Sequence, residues 1–488
     1  MHSIEGSTDR GPIVATTIVL CSVTVLVLAT IANAPLKDIA PITAAIVIWT
    51  VWHRSLLAWR NLLALLLVVI LFIPIRRYTL PGNLPFQMEP YRLLVLLIIG
   101  GWVGALLVDP RVHWRRSGFE APLTLLVVAI AGSVLANPHR VQSVSADAVK
   151  QLSFFASFLL VFYLVVSVVR TQAAIDFLVK VLVGGGAIVG FLTIVEARTH
   201  YNVFNHLERV MPFLRGQPMV FVGQDGRGDR AYASAQHPIS LGAALVMLIP
   251  LAFYLARQTS QRRWWAAAAL LAVGSLATYS RTSVLMLVAV LVVYVILRPL
   301  EVKKVWPALV PALVAIHLMV PGTIGTLKKS FFPSGGLVAQ QQAGAGTRGS
   351  GRLADLGPGI QEWSHHPVVG EGFGTRVVNG PNANADILDD QWLGTLLETG
   401  ALGMIAWVWL FCGTVGRLGR LAKRDYTNRG WLAVALAASI SAYAAGMLTY
   451  DSFAFIQVTF ILFFVLGFAA AMLGQPEAGR RALRRRAA

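Results

Sequence analysis

Charge is what this chain has least of. Asp, Glu, Lys and Arg make up 13% of its 488 residues, against 56% hydrophobic residues, and the mean hydropathy is +0.66. A soluble domain carries roughly 25% charged residues, so a water-exposed globule is excluded and a polytopic integral membrane protein follows. Cysteine is almost absent: Cys21 and Cys412 both lie inside apolar runs, which excludes a disulfide framework and leaves helix packing as their role. No Cys/His/Asp/Glu group at metal-ligand spacing and no glycine-rich nucleotide loop is visible. A cleavable signal is absent too, because the first apolar segment is too long and lacks a small-residue cleavage site before polar sequence. Within the apolar runs, ionisable residues are scarce; Asp176, Lys180, His317 and Glu398 are the main exceptions. Asp176 and Lys180, four residues apart near one helix end, suit each other as a pair. An ion-coupled transporter places several such groups near mid-membrane. Here they are too few.

What the chain does have is apolar runs of a length that crosses a ~30 Å hydrocarbon core. They lie near 13–33, 39–52, 61–75, 92–108, 119–136, 152–169, 173–194, 239–256, 264–278, 283–297, 305–321, 393–415, 431–449 and 453–473. The fold expected is an all-α polytopic membrane domain covering residues 1–488, with about fourteen transmembrane helices. Twelve or thirteen is the alternative, since 39–52 and 61–75 are short. With the first end inside, alternate loops hold Arg54 and Arg60, Arg111/Arg115/Arg116, Arg170, Arg257/Arg262/Arg263, Arg298/Lys303/Lys304 and Arg417 to Arg429, and Arg480 to Arg486 follow the last span. Short loops this basic on every second turn place themselves in the cytoplasm. That topology explains most of the net charge of +18 and removes nucleic acid as the partner. Both termini are expected inside.

The opposite side carries the polar run 322–391, a large extracytoplasmic loop inserted in the domain. A connection of that length between spans usually has a task. Many cations on this side, Arg76, Arg77, Arg140 and Lys150 among them, read as solvated charges. Arg281 differs, because it sits in the tight turn Thr278-Tyr279-Ser280-Arg281-Thr282-Ser283 between two spans, where a stray cation is costly. Three outer stretches then stand together. They are Arg227 to Pro238, containing Arg230 and His237; the turn at Arg281; and the long loop, with His365-His366-Pro367-Val368-Val369-Gly370-Glu371-Gly372-Phe373-Gly374 and then Asp389-Asp390-Gln391-Trp392 ahead of Glu398-Thr399-Gly400-Ala401-Leu402-Gly403.

This combination resembles the O-antigen ligase and polymerase superfamily of bacterial envelope glycosyltransferases. The matching elements are Arg-x-Tyr-Ala-x-x-x-His-Pro before a span, Ser-Arg-Thr-Ser between spans, the His-Pro-Val-Val-Gly-Glu-Gly-Phe-Gly run, and the Gly-x-x-Gly of the following helix, together covering roughly residues 190–450. The resemblance implies a C-type glycosyltransferase-like architecture in the bacterial inner membrane, metal-independent and without a cofactor. It implies a polyprenyl-diphosphate-linked glycan as donor and a glycan or lipid hydroxyl as acceptor on the outer face. Arginine holds diphosphate bidentately and stays charged, so Arg230 and Arg281 are expected to bind the donor, with His237, Trp392 and Glu398 beside them.

The chain departs from the family at the base. Similar ligases carry a His followed by Asn, Ser or Gln, nine residues before the Gly-x-x-Gly; counting back from Gly400 puts Asp389 and Asp390 there. A carboxylate also accepts a hydroxyl proton, so the candidates are Asp389, Asp390 and His366, and ligase and polymerase both stay open. Plainer roles stand beside these: His365 and His366 shaping the turn before Pro367, the loop glycines permitting turns, Trp392 anchoring at the interface and Glu398 orienting its helix. A lipid-linked oligosaccharide flippase is the alternative function. The topology is checked by cysteine labelling in intact cells: one placed at Gly346 should react with an impermeant thiol reagent and one at Thr427 should not, and the reverse pattern rejects the orientation.

Overall fold

The computed structural model describes residues 58–81, 88–110, 112–217, 230–305, 307, 325, 355–378, 382–385 and 388–475. The chain divides into a unit of residues 1–65 and a unit of residues 66–488. The described part of the first is the opening half of α1 (Trp59–Phe72). The second is built of helices: α2 (Pro90–Val108), α3 (Glu120–Ala136), α4 (Pro138–Ser143), α5 (Ser145–Val168), α6 (Gln172–Thr199), α7 (Pro238–Thr259), α8 (Arg262–Ala277), α9 (Arg281–Leu297), α10 (Pro299–Val305), α11 (Leu356–Trp363), α12 (Gln391–Arg424), α13 (Asn428–Gly446) and α14 (Ile456–Leu473). A two-residue antiparallel ladder pairs β1 (Tyr78–Thr79) with β2 (Arg215–Gly216).

Among the described residues six helices, α2, α5, α6, α7, α12 and α14, are long and apolar enough to cross a membrane, and α1, α3 and α9 are shorter apolar helices. A helix stands at each expected span except 13–33, 39–52 and 305–321, which lie outside the described residues. Burial sorts them by place. In α7 and α14, 94% of the most apolar window is buried, against 22% in α2. A helix apolar all round and buried all round belongs to the centre, and α2 offers its apolar surface to lipid. α7 packs against α6, α8, α9, α13 and α14, and α12 against α3 and α13.

Among the described residues, contacts between connections group at two ends. At one end Arg298 donates to the carbonyls of Ala422 (2.7 Å) and Asp425 (2.8 Å), Arg257 pairs with Glu301 and Arg417 reaches the Gly118 carbonyl. At this end, too, Asp176 is held by Tyr254, Gln172 and Gln258 from Gln172–Thr199 and the neighbouring α7, so its partners lie largely across the helix interface. At the other end lie Arg230, the Thr278–Arg281 turn, Asp389–Gln391 and the α13–α14 connection.

α12 is two helices merged across a break at Gly400, which has φ +63° and ψ −163°. The broken turn frees backbone groups that hydrocarbon cannot satisfy. The loop segment supplies what is missing. Ala401 N–H donates to the Pro367 carbonyl (2.9 Å), Leu402 N–H to Val368 (3.2 Å) and Glu371 N–H to Leu397 (2.9 Å), and the Ser133 hydroxyl donates to Glu398. A Cβ on Gly400 would collide with the Val368 carbonyl, and one on Gly370 (φ +73°) with the Glu398 backbone. The loop glycines serve turns, as their spacing suggested. Gly400→Ala adds left-handed strain of ~1–3 kcal/mol to that collision. It should lower the melting temperature of the purified protein by several degrees, while Gly416→Ala, with open space around it, should leave it unchanged; equal melting of the two would show that the break tolerates a side chain.

Candidate active site

Arg230 reaches the site along a segment held rigidly in place. The Glu196 carboxylate, near the end of α6, accepts from the amides of Ala233 (2.7 Å) and Tyr232 (3.3 Å) and from Asn202 Nδ2 (3.0 Å). Arg77, 4% exposed, donates to the carbonyls of Ala235 (2.8 Å) and Ala233 (3.1 Å) and to Asn205 Oδ1 (3.0 Å). Ala233 has φ +39°, a conformation that persists only where the surroundings over-determine it. The segment ends on His237, whose Nδ1 accepts from Ile239 N–H (3.2 Å) to cap α7, with Pro238 in the first turn. His237 is thus a helix cap, its ring 5.8 Å from that of Phe455. Arg227 lies outside the described residues.

Arg230 Nε donates to the Thr278 carbonyl at 3.0 Å. This brings the first and second sequence motifs together, because Thr278 ends α8 and Arg281 opens α9. Around them, among the described residues, buried polar atoms gather with no protein partner: Ser240, Ser280 and Ser283 Oγ, Tyr450 OH and both side-chain polar atoms of Gln236. An orphaned buried polar group costs ~1–3 kcal/mol and calls for a ligand or water. Hydroxyls and guanidinium groups together suit an oxygen-rich anion.

The third motif joins through the connection between α13 and α14. Thr449 Oγ1 donates to Thr282 Oγ1 (2.9 Å), Gln391 N–H to the Met447 carbonyl (2.8 Å), Phe453 N–H to Gln391 Oε1 (2.8 Å) and Trp392 Nε1 to Ala444 (3.0 Å). Trp392 is therefore pinned between helices, its ring edge-on to Phe411 at 5.9 Å. Asp390 caps α12: its Oδ1 accepts from Trp392 N–H (2.8 Å) and Leu393 N–H (3.1 Å). Asp389 precedes it, half-buried, close enough to act on the charge of Asp451. Glu398 lies about two turns further along α12. His366 stands in the exposed turn after α11, its amide bonded to the Trp363 carbonyl (2.9 Å), away from the cavity described next.

A cavity of ≈ 100 Å³ opens between the starts of α5 and α12 and the α13–α14 connection, with Asp390, Glu398, Asp451, Arg376, Phe155 and Phe373 in its wall. Arg376 donates to Glu371 (2.7 Å) and Glu362 (2.8 Å), and Arg140 meets the other oxygen of Glu371 at 2.8 Å. Burial pushes the Asp451 carboxyl up to about 6; the Ala454 amide opposes the rise, the charge of Asp389 adds to it, and Arg76 pulls it back.

Residues 266–408 match the family described as Wzy_C, O-Antigen ligase. That stretch is similar to an O-antigen ligase domain. The match includes Arg281, His366, Asp389, Asp390, Trp392 and Glu398, while Arg77, Glu196, Arg230 and Asp451 fall outside it, and no curated protein matches the chain. The match supports a glycan ligase or polymerase activity in a membrane.

Sequence reasoning missed Asp451, Arg77 and Glu196. Asp451 had a signal: a charged residue in a short turn between two spans, the same logic that singles out Arg281. Arg77→Lys keeps the charge and loses the fork that serves three acceptors. With charge-assisted bonds worth ~1.5–3 kcal/mol each, it should cut glycan transfer at least tenfold and make the 230–238 segment more sensitive to proteolysis; unchanged transfer and digestion would show that the segment keeps its place unaided.

Proposed function

We propose that the protein is an envelope glycosyltransferase, ligase or polymerase, that moves a glycan from a polyprenyl-diphosphate carrier to a hydroxyl acceptor at the outer face of the bacterial inner membrane. The observation that carries this reading is the Arg230–Thr278 bond, which sets two arginines and a group of orphaned hydroxyls beside a connection bearing Asp451, with Asp389 as its neighbour. The donor diphosphate takes the arginine side. The acceptor oxygen attacks the anomeric carbon, the bond from that carbon to the diphosphate oxygen breaks, and the electron pair leaves on the phosphate. Arg230 and Arg281 stabilise that developing charge. The acceptor proton passes to a carboxylate.

Asp389 is the base this reading favours. Asp390 has its Oδ1 committed to two amides as a helix cap, and His366 stands on an exposed turn. The orientation, cytoplasm at the Arg257/Arg298 end, belongs to the same proposal and rests on the loop charges.

Arg281→Lys should lose about two orders of magnitude in transfer rate, since the charge stays and the fork goes; near-normal transfer by both Arg281→Ala and Arg230→Ala would rule out the donor site. Asp389→Asn should stop transfer and leave donor binding intact, whereas full transfer by Asp389→Asn with loss in Asp390→Asn or His366→Ala would move the base. The pH profile supplies a separate check. A carboxyl raised to about 6, as Asp451 is, loses its charge as pH falls through that value, whereas an ordinary Asp holds its charge to about 4. Transfer should therefore fall on the acid side near pH 6. Asp451→Asn removes that carboxyl, so the acid limb near pH 6 should disappear; an unmoved limb would mean that the titration of Asp451 does not govern transfer.

A further inference from the structure

The cavity beside the carboxylates differs in chemistry from the arginine side. Asp390, Glu398 and Asp451 contribute to its wall, and its one described cation, Arg376, is already shared between Glu371 and Glu362. With that cation already paired, the described wall offers a phosphate no free counter-charge, and a poorly solvated site disfavours an anion left without one. The opposite wall is aromatic: the rings of Phe155 and Phe373 meet edge-on at 6.1 Å, and Phe154 and Phe158 stand beside them on α5. Flat apolar faces opposite hydrogen-bond acceptors suit a ring with C–H on its faces and hydroxyls at its edge. A volume of ≈ 100 Å³ holds on the order of seven to ten waters by the 10–15 Å³ that one water requires. That suits the end of a sugar chain and is small for a polyprenyl tail. Neither Arg230 nor Arg281 lines it. The Thr282–Thr449 bond puts their side on the far flank of the connection that carries Asp451.

We propose that this cavity is the acceptor subsite and that it takes a phosphate-free sugar ring, held between the Phe155/Phe373 wall and the carboxylates of Glu398 and Asp451. The proposal rests on the glycosyltransferase reading and adds to it which substrate lies where and what chemical character the acceptor end has. Gln151, also in the wall, offers an amide to the ring hydroxyls. The acceptor hydroxyl then lies beside Asp451, which is close enough to Asp389 to feel its charge, and the donor lies on the other side of the α13–α14 connection. The two substrates enter from sides of opposite charge, so neither competes for the other's place.

The test reads occupancy and needs no turnover, so its failure is distinct from failure of the transfer reaction. In the full chain in lipid nanodiscs, with Cys21→Ser and Cys412→Ser, Phe155→Cys is labelled with a maleimide; Phe373→Cys repeats the experiment should the first variant fold poorly. The probes are phosphatase-treated glycans released from the host's envelope lipids, inorganic diphosphate, and polyprenyl phosphate. The glycans should slow labelling at least fivefold, and the other two should leave it unchanged. Protection by diphosphate would make the cavity a donor phosphate site, and protection by polyprenyl phosphate a lipid site. Either result, or no protection by the glycans, overturns the proposal.

Discussion

The break of α12 at Gly400 is the constraint on which the rest of the site depends. A helix interrupted within a span must find partners for each freed amide and carbonyl, and here the His-Pro-Val-Val-Gly-Glu segment supplies them from both sides. The loop motif is therefore part of the helix it follows in space, and only formally a loop. Glu371, which bonds back to Leu397, is itself locked between Arg140 and Arg376. The first part of α12 is thereby aimed so that Asp389, Asp390 and Gln391 meet the α13–α14 connection. Without the break, the carboxylates and the arginines would belong to different parts of the bundle.

The site that results is divided by charge. Arg230, Arg281 and orphaned hydroxyls occupy one flank, the acids and phenyl rings, with the paired Arg376, occupy the other, and a short connection from Met447 to Phe455 runs between them. In a poorly solvated setting that separation matters more than it does in water, because Coulomb energies grow as the effective dielectric falls. In the proposed reaction a negatively charged leaving group and an ionised base need to be close and yet held by opposite environments. Rigid elements hold the two flanks: two helix caps, a helix break and a clamped segment.

Much of this was legible in the sequence. Hydropathy located the helices within a few residues, since a ~30 Å core leaves little freedom in span length. Arg257, Arg298 and Arg417 foretold which connections share an end. The order of motifs foretold that Arg230, Arg281 and the Asp389 pair belong to one region. Arg77 was read as a solvated charge and is buried, because charge count says nothing about which backbone a guanidinium finds. Glu196 carried no signal at all, since its partners are mainly main-chain amides. Periodicity reports which face is apolar; it does not report which loops touch. Glu398 was visible as an acid near a span's end, but its place in a cavity wall depends on the break at Gly400.

The clamp on the Arg230 segment grips mainly the main chain. Arg77 reaches the carbonyls of Ala233 and Ala235, and Glu196 reaches the amides of Tyr232 and Ala233, so the side chains at 233 and 235 contribute no atom to either grip. Such a grip is blind to the identity of what it holds. Over evolutionary time the small residues between Tyr232 and His237 are free to drift within the limits of space and backbone shape, and the arginine they carry keeps its address. The letters of that motif record how tightly the segment is packed, and what holds it is written in residues up to 158 positions earlier along the chain.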